Sequence, residues 1–496
     1  MNRRHLLAAI GASLATVLCV AGAALAQPPD TGDPPPKVTA TLSNITRVET
    51  WSYFRPRPEF FNTPFGGGRP DYTFVGDRFR LGVGVVGARF DAAAAFDYVR
   101  LENLPVDAIG PGGLGTGAFY FAAAGVPYSY QLYLRELTLR VKSRSRGIVA
   151  TLGRMSADVG AEAASAADPM HALIRDRIDG RLIGDFEWSY YQRRFDGVRV
   201  DVRRPRWQLA SSAVVPTQGG FEESANLSMP AVQVVSGELT MRRRPNPAPA
   251  NRALQVFGHV YRDRRPVAGR PDNSGLAARA VNVSVATLGG SYLTVARVGP
   301  GDVDTVAWSA VQFGNWYGQT QRAASVAAEG GYRWPRSTWR PWIRGGYWWA
   351  SGDGDPRDSR HGTFFQMLPS SRKYALSSTY AQMNLRDLFL QAIVEPGRGV
   401  KARVETHRLD LANAADRWYQ GSGATSSTGR FFGFASLPSS GATSLGTVVE
   451  GALDVPILQH WSMNGYLGTL RGGDVVTRLF ATNRLAFWYI ESRIAF

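Results

Sequence analysis

Nine arginines of this sequence occupy positions where a guanidinium group could bind an acidic ligand. Each lies opposite apolar neighbours in a stretch whose residues alternate with period two. They are Arg47, Arg78, Arg80, Arg135, Arg154, Arg199, Arg344, Arg403 and Arg493. A guanidinium group can donate two parallel hydrogen bonds to one carboxylate or phosphate, which a lysine ammonium group cannot do. The pattern therefore predicts a surface that binds anions at many points.

Acidic residues share the polar face of the same stretches and could balance part of this charge. They are Glu49, Asp77, Asp91, Asp97, Asp201, Glu405 and Glu491. Any one arginine could therefore form an ion pair within a wall instead of contacting a ligand. The chain has a net charge of +16 and only four lysines, and a GC-rich genome would also favour arginine without a functional cause.

Catalytic chemistry has less support. Five histidines follow residue 26, and none lies in an H-E-x-x-H metal motif or near a G-x-S-x-G nucleophile motif. His259 and His407 lie on predicted strands, where a barrel-embedded hydrolase could carry a Ser–His site. A hydrolytic activity lost in His407→Ala would identify that class. We expect no catalytic residue and no cofactor.

Metal binding and nucleic-acid binding are two further possibilities. Asp353, Asp355 and Asp358 could gather oxygen ligands for Ca²⁺, with glycines allowing the turn, but they do not follow the EF-hand pattern. An exposed acidic turn explains them as well, and we predict no metal site. No phosphate-binding loop is present, and the export predicted below from the N-terminus would keep the chain away from nucleic acid, so the basic charge does not indicate DNA binding.

The last thirteen residues show which element positions the arginines. Trp488, Ile490, Ile494 and Phe496 fall on one face of a period-two pattern, whereas Glu491, Arg493 and Tyr489 fall on the other. A strand with lipid on one side and a watery lumen on the other has this composition. The alternative is an edge strand of a soluble β-sandwich.

Similar stretches recur along the whole chain, separated by turns rich in Gly, Pro, Asp and Ser. They lie near 39–54, 73–86, 88–101, 128–141, 147–156, 196–204, 206–215, 233–243, 253–263, 278–288, 290–298, 304–314, 323–333, 341–350, 379–394, 400–411, 443–455, 461–471 and 481–496. Because some of these will merge or split, we predict an all-β fold: a single transmembrane antiparallel β-barrel of about 18 strands. One short loop helix is expected within 163–177. The aromatic cluster at 339–349 is typical of a membrane-interface girdle, with stacking on sugars as an alternative.

The N-terminus predicts export. Residues 1–26 combine a basic start, an apolar run and Ala24-Leu-Ala26, which is the pattern of a cleavable signal peptide. Residues 27–37 read as a flexible leader, and 38–496 as one barrel domain in the bacterial outer membrane. Cys19, the single cysteine, lies in the segment to be removed, so the mature chain would have no disulfide.

Four motifs resemble the outer-membrane alginate export family. The most specific is Ser351-Gly-Asp-Gly-Asp followed by Thr363-Phe-Phe, Leu368-Pro and Tyr374. Arg193-Arg-Phe-Asp-Gly-Val-Arg-Val200 and Leu152-Gly-Arg154 resemble strand starts of that family, and Tyr133-Leu-Arg-Glu-Leu137 is a shorter match.

The resemblance implies a monomeric 18-stranded barrel that passes alginate, an anionic polysaccharide, from the periplasm to the exterior. In that family, loops constrict the pore and arginines line it. By motif position, Arg135 and Arg154 resemble lumen residues, with Glu136 beside the first. Outer-membrane lipid and periplasmic export components would be its partners. A porin for small anionic nutrients, such as uronates or aromatic acids, is the alternative within transport.

Overall fold

The computed structural model describes residues 38–43, 46–62, 71–108, 116–145, 147–157, 160, 168–243, 251–370 and 379–495. The predicted signal peptide, the leader, Tyr374 and Phe496 lie outside these residues, so the predicted domain boundaries stay predictions. Arg47 belongs to a described strand, but its side chain and that of Glu49 lie outside the described part.

Most of the chain forms β-strands. In chain order they are β1 (Val38–Ser43), β2 (Thr46–Asn62), β3 (Asp71–Gly87), β4 (Phe90–Glu102), β5 (Tyr128–Lys142), β6 (Ile148–Met155), β7 (Phe195–Arg203), β8 (Trp207–Pro216), β9 (Val232–Arg243), β10 (Asn251–Asp263), β11 (Val283–Val298), β12 (Gly301–Trp316), β13 (Gln319–Arg333), β14 (Trp342–Ala350), β15 (Arg360–His361), β16 (Leu385–Gly397), β17 (Val400–Leu411), β18 (Arg417–Gly421), β19 (Phe434–Pro438), β20 (Ser444–Leu458), β21 (Trp461–Gly472) and β22 (Arg484–Ala495).

Eighteen of these strands form a closed antiparallel barrel, as predicted. Each pairs with the next along the chain, and β22 pairs with β2 to close the ring. The remaining four are short: β1 forms a hairpin with β2, β15 pairs with β13, and β18 pairs with β19 in a separate hairpin. Closure matters because it pairs the backbone groups that a free sheet edge would leave unsatisfied in lipid.

Side chains alternate as the sequence predicts, with apolar residues outside. In β3, Phe79, Leu81 and Val83 are exposed on one face of the strand, whereas Arg78 on the other face is buried. In β4, Phe90, Phe96 and Tyr98 are exposed and Asp97 is buried. A water-soluble protein shows the opposite arrangement, so this surface suits hydrocarbon on the outside and polar groups within.

The closing seam between β2 and β22 is interrupted by prolines. The register pairs Phe54 with Ile494 and Glu59 with Tyr489, and no ladder pair joins the residues between them. Pro56 and Pro58 occupy this stretch, and proline has no N–H to donate to a neighbouring strand. Side chains bridge the gap instead, because Arg55 Nε lies 2.5 Å from Glu491 Oε2 across the seam.

The two ends of the barrel differ in their connections. At one end, turns such as 88–89, 204–206, 299–300, 398–399 and 459–460 are short. At the other, long segments connect the strands, including 103–127, 156–194, 217–231, 264–282, 351–384 and 412–443. In outer-membrane barrels the short turns lie on the periplasmic side and the long loops outside. The first residue of β2 and the last of β22 therefore lie at the periplasmic end.

Helices are few and short among the described residues. They are α1 (Thr116–Ala124), α2 (Asp168–Leu173), which continues as a π-helical turn (Ile174–Ile178), and α3 (Asp474–Leu479). The predicted loop helix corresponds to α2 and the π turn, whereas α1 and α3 were not predicted. No helix in the described part of the chain is long and apolar enough to span a bilayer.

The predicted break between 278–288 and 290–298 is wrong, because β11 runs without interruption from Val283 to Val298. In the structure, a side chain at Gly289 would meet the ring of Phe257 at 2.4 Å. The glycine thus makes room for a neighbouring aromatic side chain instead of reversing the chain.

A charge placed on the outer face should destabilise the barrel in proportion to its depth. Leu390 is exposed near the middle of β16, and Leu458 is exposed at the end of β20. We expect Leu390→Arg to lower the free energy of unfolding in lipid vesicles by about 2–4 kcal/mol and Leu458→Arg by about 1 kcal/mol or less. Guanidinium unfolding followed by tryptophan fluorescence measures both, and equal losses would contradict the membrane placement.

Candidate functional site

The barrel interior is partly filled by loops that fold inward from the long-loop end. Isolated bridges join them: Ile183 pairs with Leu368, Tyr191 with Gly220, and Val267 with Gly429. The segment 363–370, which belongs to the most specific family motif, is buried throughout. This part of the motif therefore belongs to the interior structure and not to an exposed loop.

Arg193 ties three of these loops together. Its side chain is fully buried, and Nη1 donates to the carbonyl oxygens of Gly184 and Leu368 at 3.3 and 3.1 Å. Nη2 donates to Ser422 O and Ala424 O at 2.7 and 3.1 Å. Burial lowers the pKa of Arg193 to about 10, so the group remains a cation at neutral pH. One planar guanidinium thus fixes four carbonyls, a geometry that suits arginine and not lysine.

The predicted residues Arg78, Arg80 and Arg135 lie together around Asp97. Arg80 forms a two-pronged pair with this carboxylate, at 2.5 and 2.7 Å. Arg135 Nε lies 3.7 Å from Asp97 Oδ2, and its Nε and Nη1 groups are buried without a hydrogen-bond partner. Arg78 instead donates to Ser189 O on an inward loop. One acid therefore serves several cations here.

Arg135 and Glu136 both enter the interior because the strand carries a bulge. The register shifts so that Ala95 pairs with Glu136 and Phe96 with Leu134, which leaves Arg135 as the extra residue. Glu136 lies 4.0 Å from Arg194, and Thr138 Oγ1 donates to it at 3.4 Å. A strict period of two could not have placed neighbouring residues on one side.

Arg154 and Arg199 have carboxylate partners on the wall. Arg154 forms two 2.7 Å hydrogen bonds with Asp196 and donates to Leu134 O, which places it beside the Arg135 bulge. Arg199 pairs with Asp201 on its own strand at 3.0 and 3.1 Å. Both arginines are therefore predominantly wall ion pairs in this arrangement.

Arg344 belongs to a second group of charged side chains, on the wall formed by β12, β13 and β14. It donates to Asp304 at 3.0 Å and to Glu329 at 3.2 Å. Glu329 also accepts from Arg177 at 2.8 and 3.0 Å, and Arg181 approaches it at 3.5 Å. Three arginines therefore converge on one carboxylate, and two of them come from the inward loop.

Of the other predicted arginines, Arg403 lies on β17 and Arg493 on β22, and the side chain of Arg47 lies outside the described part of the structure. Arg403 pairs with Glu405 at 3.1 Å on β17. Arg493 is half-buried near the end of β22, opposite Ser462.

The sequence pattern does not predict several of the interior arginines: Arg57, Arg177, Arg181, Arg194 and Arg265. They lie in proline-rich or aperiodic segments, where no alternation marks the inner face. Arg57 shows what such positions do, because it packs against the rings of Trp188 and Tyr190 at 5.3 and 4.5 Å. Arg193 itself lies in a recognised motif, which suggested a strand start and not a tie between loops.

The two histidines considered for a hydrolase do not form a Ser–His–acid relay. Ser236 Oγ and Glu238 Oε1 both approach Nδ1 of His259, at 3.0 and 3.8 Å, whereas a relay places its serine and acid on opposite ring nitrogens. His407 contacts carboxylates, at Asp387 and Glu405.

The acidic turn considered for Ca²⁺ uses its carboxylates locally. Asp355 and Asp358 accept from backbone N–H groups two residues later, at 3.0 and 2.7 Å. Asp353 is buried, its backbone N–H donates to Asp416 at 2.9 Å, and burial together with the charges of Asp416 and Asp358 raises its pKa to about 6.

Fold and interior together define an outer-membrane β-barrel channel of bacteria. The chain belongs to the alginate export family, whose sequence model, described as "Alginate export", matches residues 175–478. This is a family of transport channels and not a known enzyme family. A comparison with curated protein sequences gives no match.

Solved structures with a similar fold are outer-membrane channels of the OprD type. The barrel is similar to Pseudomonas aeruginosa OpdK with vanillate (TM-score 0.54, 9% identity, 90% of this chain and 98% of that one). It is also similar to P. aeruginosa OccK9 (0.54, 11%, 90% and 98%) and to P. aeruginosa OccK2 in complex with glucuronate (0.51, 9%, 90% and 97%). At these identities the likeness shows the fold alone.

Loosening the Arg193 tie should widen the passage. We expect Arg193→Lys to leave the barrel assembled but to raise single-channel conductance and current noise, because an ammonium group cannot bond four carbonyls in one plane. Planar-bilayer recordings measure this, with Arg199→Lys on the wall as the matched control. Unchanged conductance in Arg193→Lys would contradict the role of the tie.

The Asp353 loop should become less stable as pH rises. A carboxyl whose folded pKa exceeds its unfolded value stabilises the fold at low pH, and that contribution is lost as pH rises through about 6. Hydrogen exchange of residues 351–370, corrected for intrinsic rates, should show protection that falls between pH 5 and pH 7.5. Asp353→Asn should abolish this fall and the exposed Asp107→Asn should not; a fall that persists in Asp353→Asn would show another cause.

Proposed function

We infer that this channel carries an anionic polysaccharide, an alginate-like polyuronate, from the periplasm to the exterior through an arginine-lined lumen. Membership of the alginate export family supports the substrate class. The predicted residues would serve as lumen contacts, with Arg135, Glu136 and Arg154 at the centre and Arg47 and Arg493 nearer the periplasmic end. The protein would act as a monomer in outer-membrane lipid, supplied by periplasmic export components.

The observation that carries the proposal is the incomplete pairing of Arg135. Two of its nitrogens, Nε and Nη1, are buried without a hydrogen-bond partner, and the carboxylate of Asp97 beside them is already bound by Arg80. Buried unpaired donors are costly. A carboxylate that reaches Arg135 after a small movement of its side chain would therefore gain hydrogen bonds to them.

A polymer needs several moderate sites more than one tight site. A polyuronate presents a carboxylate on every sugar, and conduction requires each contact to be weak enough to break as the chain advances. Asp97 and Glu329 suit this need, because more than one arginine shares each carboxylate. Each acid therefore moderates the local positive charge without removing it. The neighbouring aromatic rings of Trp308 and Trp348 lie under Arg181 and complete a polar and aromatic wall.

A porin for uptake of small anionic nutrients is the second candidate. It is favoured by the likeness to channels whose structures hold vanillate or glucuronate, an aromatic acid and a uronate. Both candidates use the same cationic wall, and they differ in the size of the anion and in the direction of transport.

Ion selectivity tests the cationic lumen. In planar bilayers with a KCl gradient, we expect the wild-type channel to prefer anions, because carboxylates do not pair all the guanidinium groups. Arg135→Gln should shift the reversal potential towards cations, whereas Arg206→Gln, exposed at a periplasmic turn, should leave it unchanged. A cation-selective channel that Arg135→Ala does not alter would refute the proposal.

Polymer block separates the two candidates. Polymannuronate added to the periplasmic side should reduce the current, and Arg135→Gln and Arg154→Gln should weaken this block severalfold. Block by glucuronate or vanillate with no effect of polymannuronate would instead decide for the uptake porin.

A further inference from the structure

A second cluster of polar side chains lies on the interior wall, where β17 and β20 pair. Glu405 and His407 share one face of β17, and Glu450 of β20 lies directly opposite Glu405 in the register. All three side chains are buried. One ligand atom from each of them lies within 4.8 Å of the other two.

Two atoms of this cluster are buried without a hydrogen-bond partner. They are Nε2 of His407 and Oε1 of Glu405, and they lie 3.7 Å apart. This distance is too long for a hydrogen bond. Two ligands of one tetrahedral Zn²⁺, with bonds of about 2.0–2.1 Å, lie about 3.4 Å apart. The gap between the two atoms therefore suits a shared metal ion better than a shared proton.

The remaining atoms of the cluster are held in the orientation that a metal site needs. Nδ1 of His407 faces both oxygens of Asp387, at 2.9 and 3.1 Å, and Tyr380 donates to that carboxylate at 3.1 Å. A carboxylate on one ring nitrogen fixes the tautomer and leaves the other nitrogen free to bind metal. On the acids, Arg403 holds Oε2 of Glu405, and Tyr466 donates to Oε2 of Glu450 at 3.0 Å.

The charge of the cluster also favours a cation. Asp387, Glu405 and Glu450 bring three carboxylates, and like charges directly opposite each other on neighbouring strands are destabilising. Arg403 pairs with Glu405, and Arg177 lies over the nearby Phe389 ring but is bound to Glu329. With a neutral imidazole, the three acids and Arg403 leave two negative charges in excess.

The geometry points to a binding site for a divalent transition-metal ion, with Zn²⁺ as the fitting ion, held by His407 Nε2, Glu405 Oε1 and a Glu450 oxygen. One imidazole and two carboxylates are ligands that Zn²⁺ accepts, and the fourth position stays open to water. The ion would join β17 to β20 and, through Asp387, to β16. This site is independent of the proposed transport of polyuronate.

Metal binding is measured on the untagged, full-length barrel in detergent. After treatment with a chelator and dialysis against Zn²⁺, we expect the wild-type protein to retain one equivalent that His407→Gln lacks. His259→Gln is the matched control, because that histidine is also buried on an interior strand and contacts a serine and a glutamate. Asp387→Asn should weaken the affinity about 10–100-fold, as expected of a residue that orients a ligand.

Co²⁺ gives a readout that does not depend on the variants folding. The wild-type protein loaded with Co²⁺ should show the visible absorption of a four-coordinate site with mixed nitrogen and oxygen ligands. Absence of a bound ion in the wild type, or equal binding in His407→Gln, would overturn the proposal. Either result would show that His407 is not a metal ligand in this protein.

Discussion

The structure depends on one constraint: the two faces of every barrel strand meet different surroundings. A closed sheet satisfies the backbone, and the side chains that face lipid are mainly apolar, such as Leu81 and Leu390. The polar side chains that alternate with them must then be satisfied inside. For this reason several arginines share one carboxylate in the interior, and the inward loops contribute further guanidinium groups of their own.

The inward loops meet the same constraint in a different way. Carbonyl groups of a buried loop lack a strand partner, and an unpaired buried carbonyl is costly. Arg193 serves four of them at once, and Arg265 donates to Ser426 O and Phe432 O in the same manner. Arginine therefore has two roles inside this barrel, as a tie between loop backbones and as a cation on the wall.

The sequence predicts the wall far better than the interior. The alternation of Phe79, Arg80 and Leu81 predicts their strand, because lipid on one face and water on the other impose a period of two. Arg181 and Arg193 belong to loops whose neighbours all pack inside, so no period distinguishes one face from the other. Arg57 lies between Pro56 and Pro58, beyond the end of the predicted stretch 39–54, and the bulge at Arg135 breaks the period-two alternation. Family motifs indicated Arg135, Glu136 and Arg154, but only the pairing of the strands shows which charged residues lie beside each of them.

Neighbouring residues of β7 allow the most direct measurement of the two-faced wall. Val198 is exposed on the outer face and Arg199 pairs with Asp201 on the inner one. With the single natural cysteine confined to residue 19, Val198→Cys and Arg199→Cys each introduce one thiol into the barrel. In lipid vesicles, a charged methanethiosulfonate should modify Arg199→Cys rapidly and Val198→Cys only after unfolding. Rapid modification of Val198→Cys with protection of Arg199→Cys would contradict the whole account.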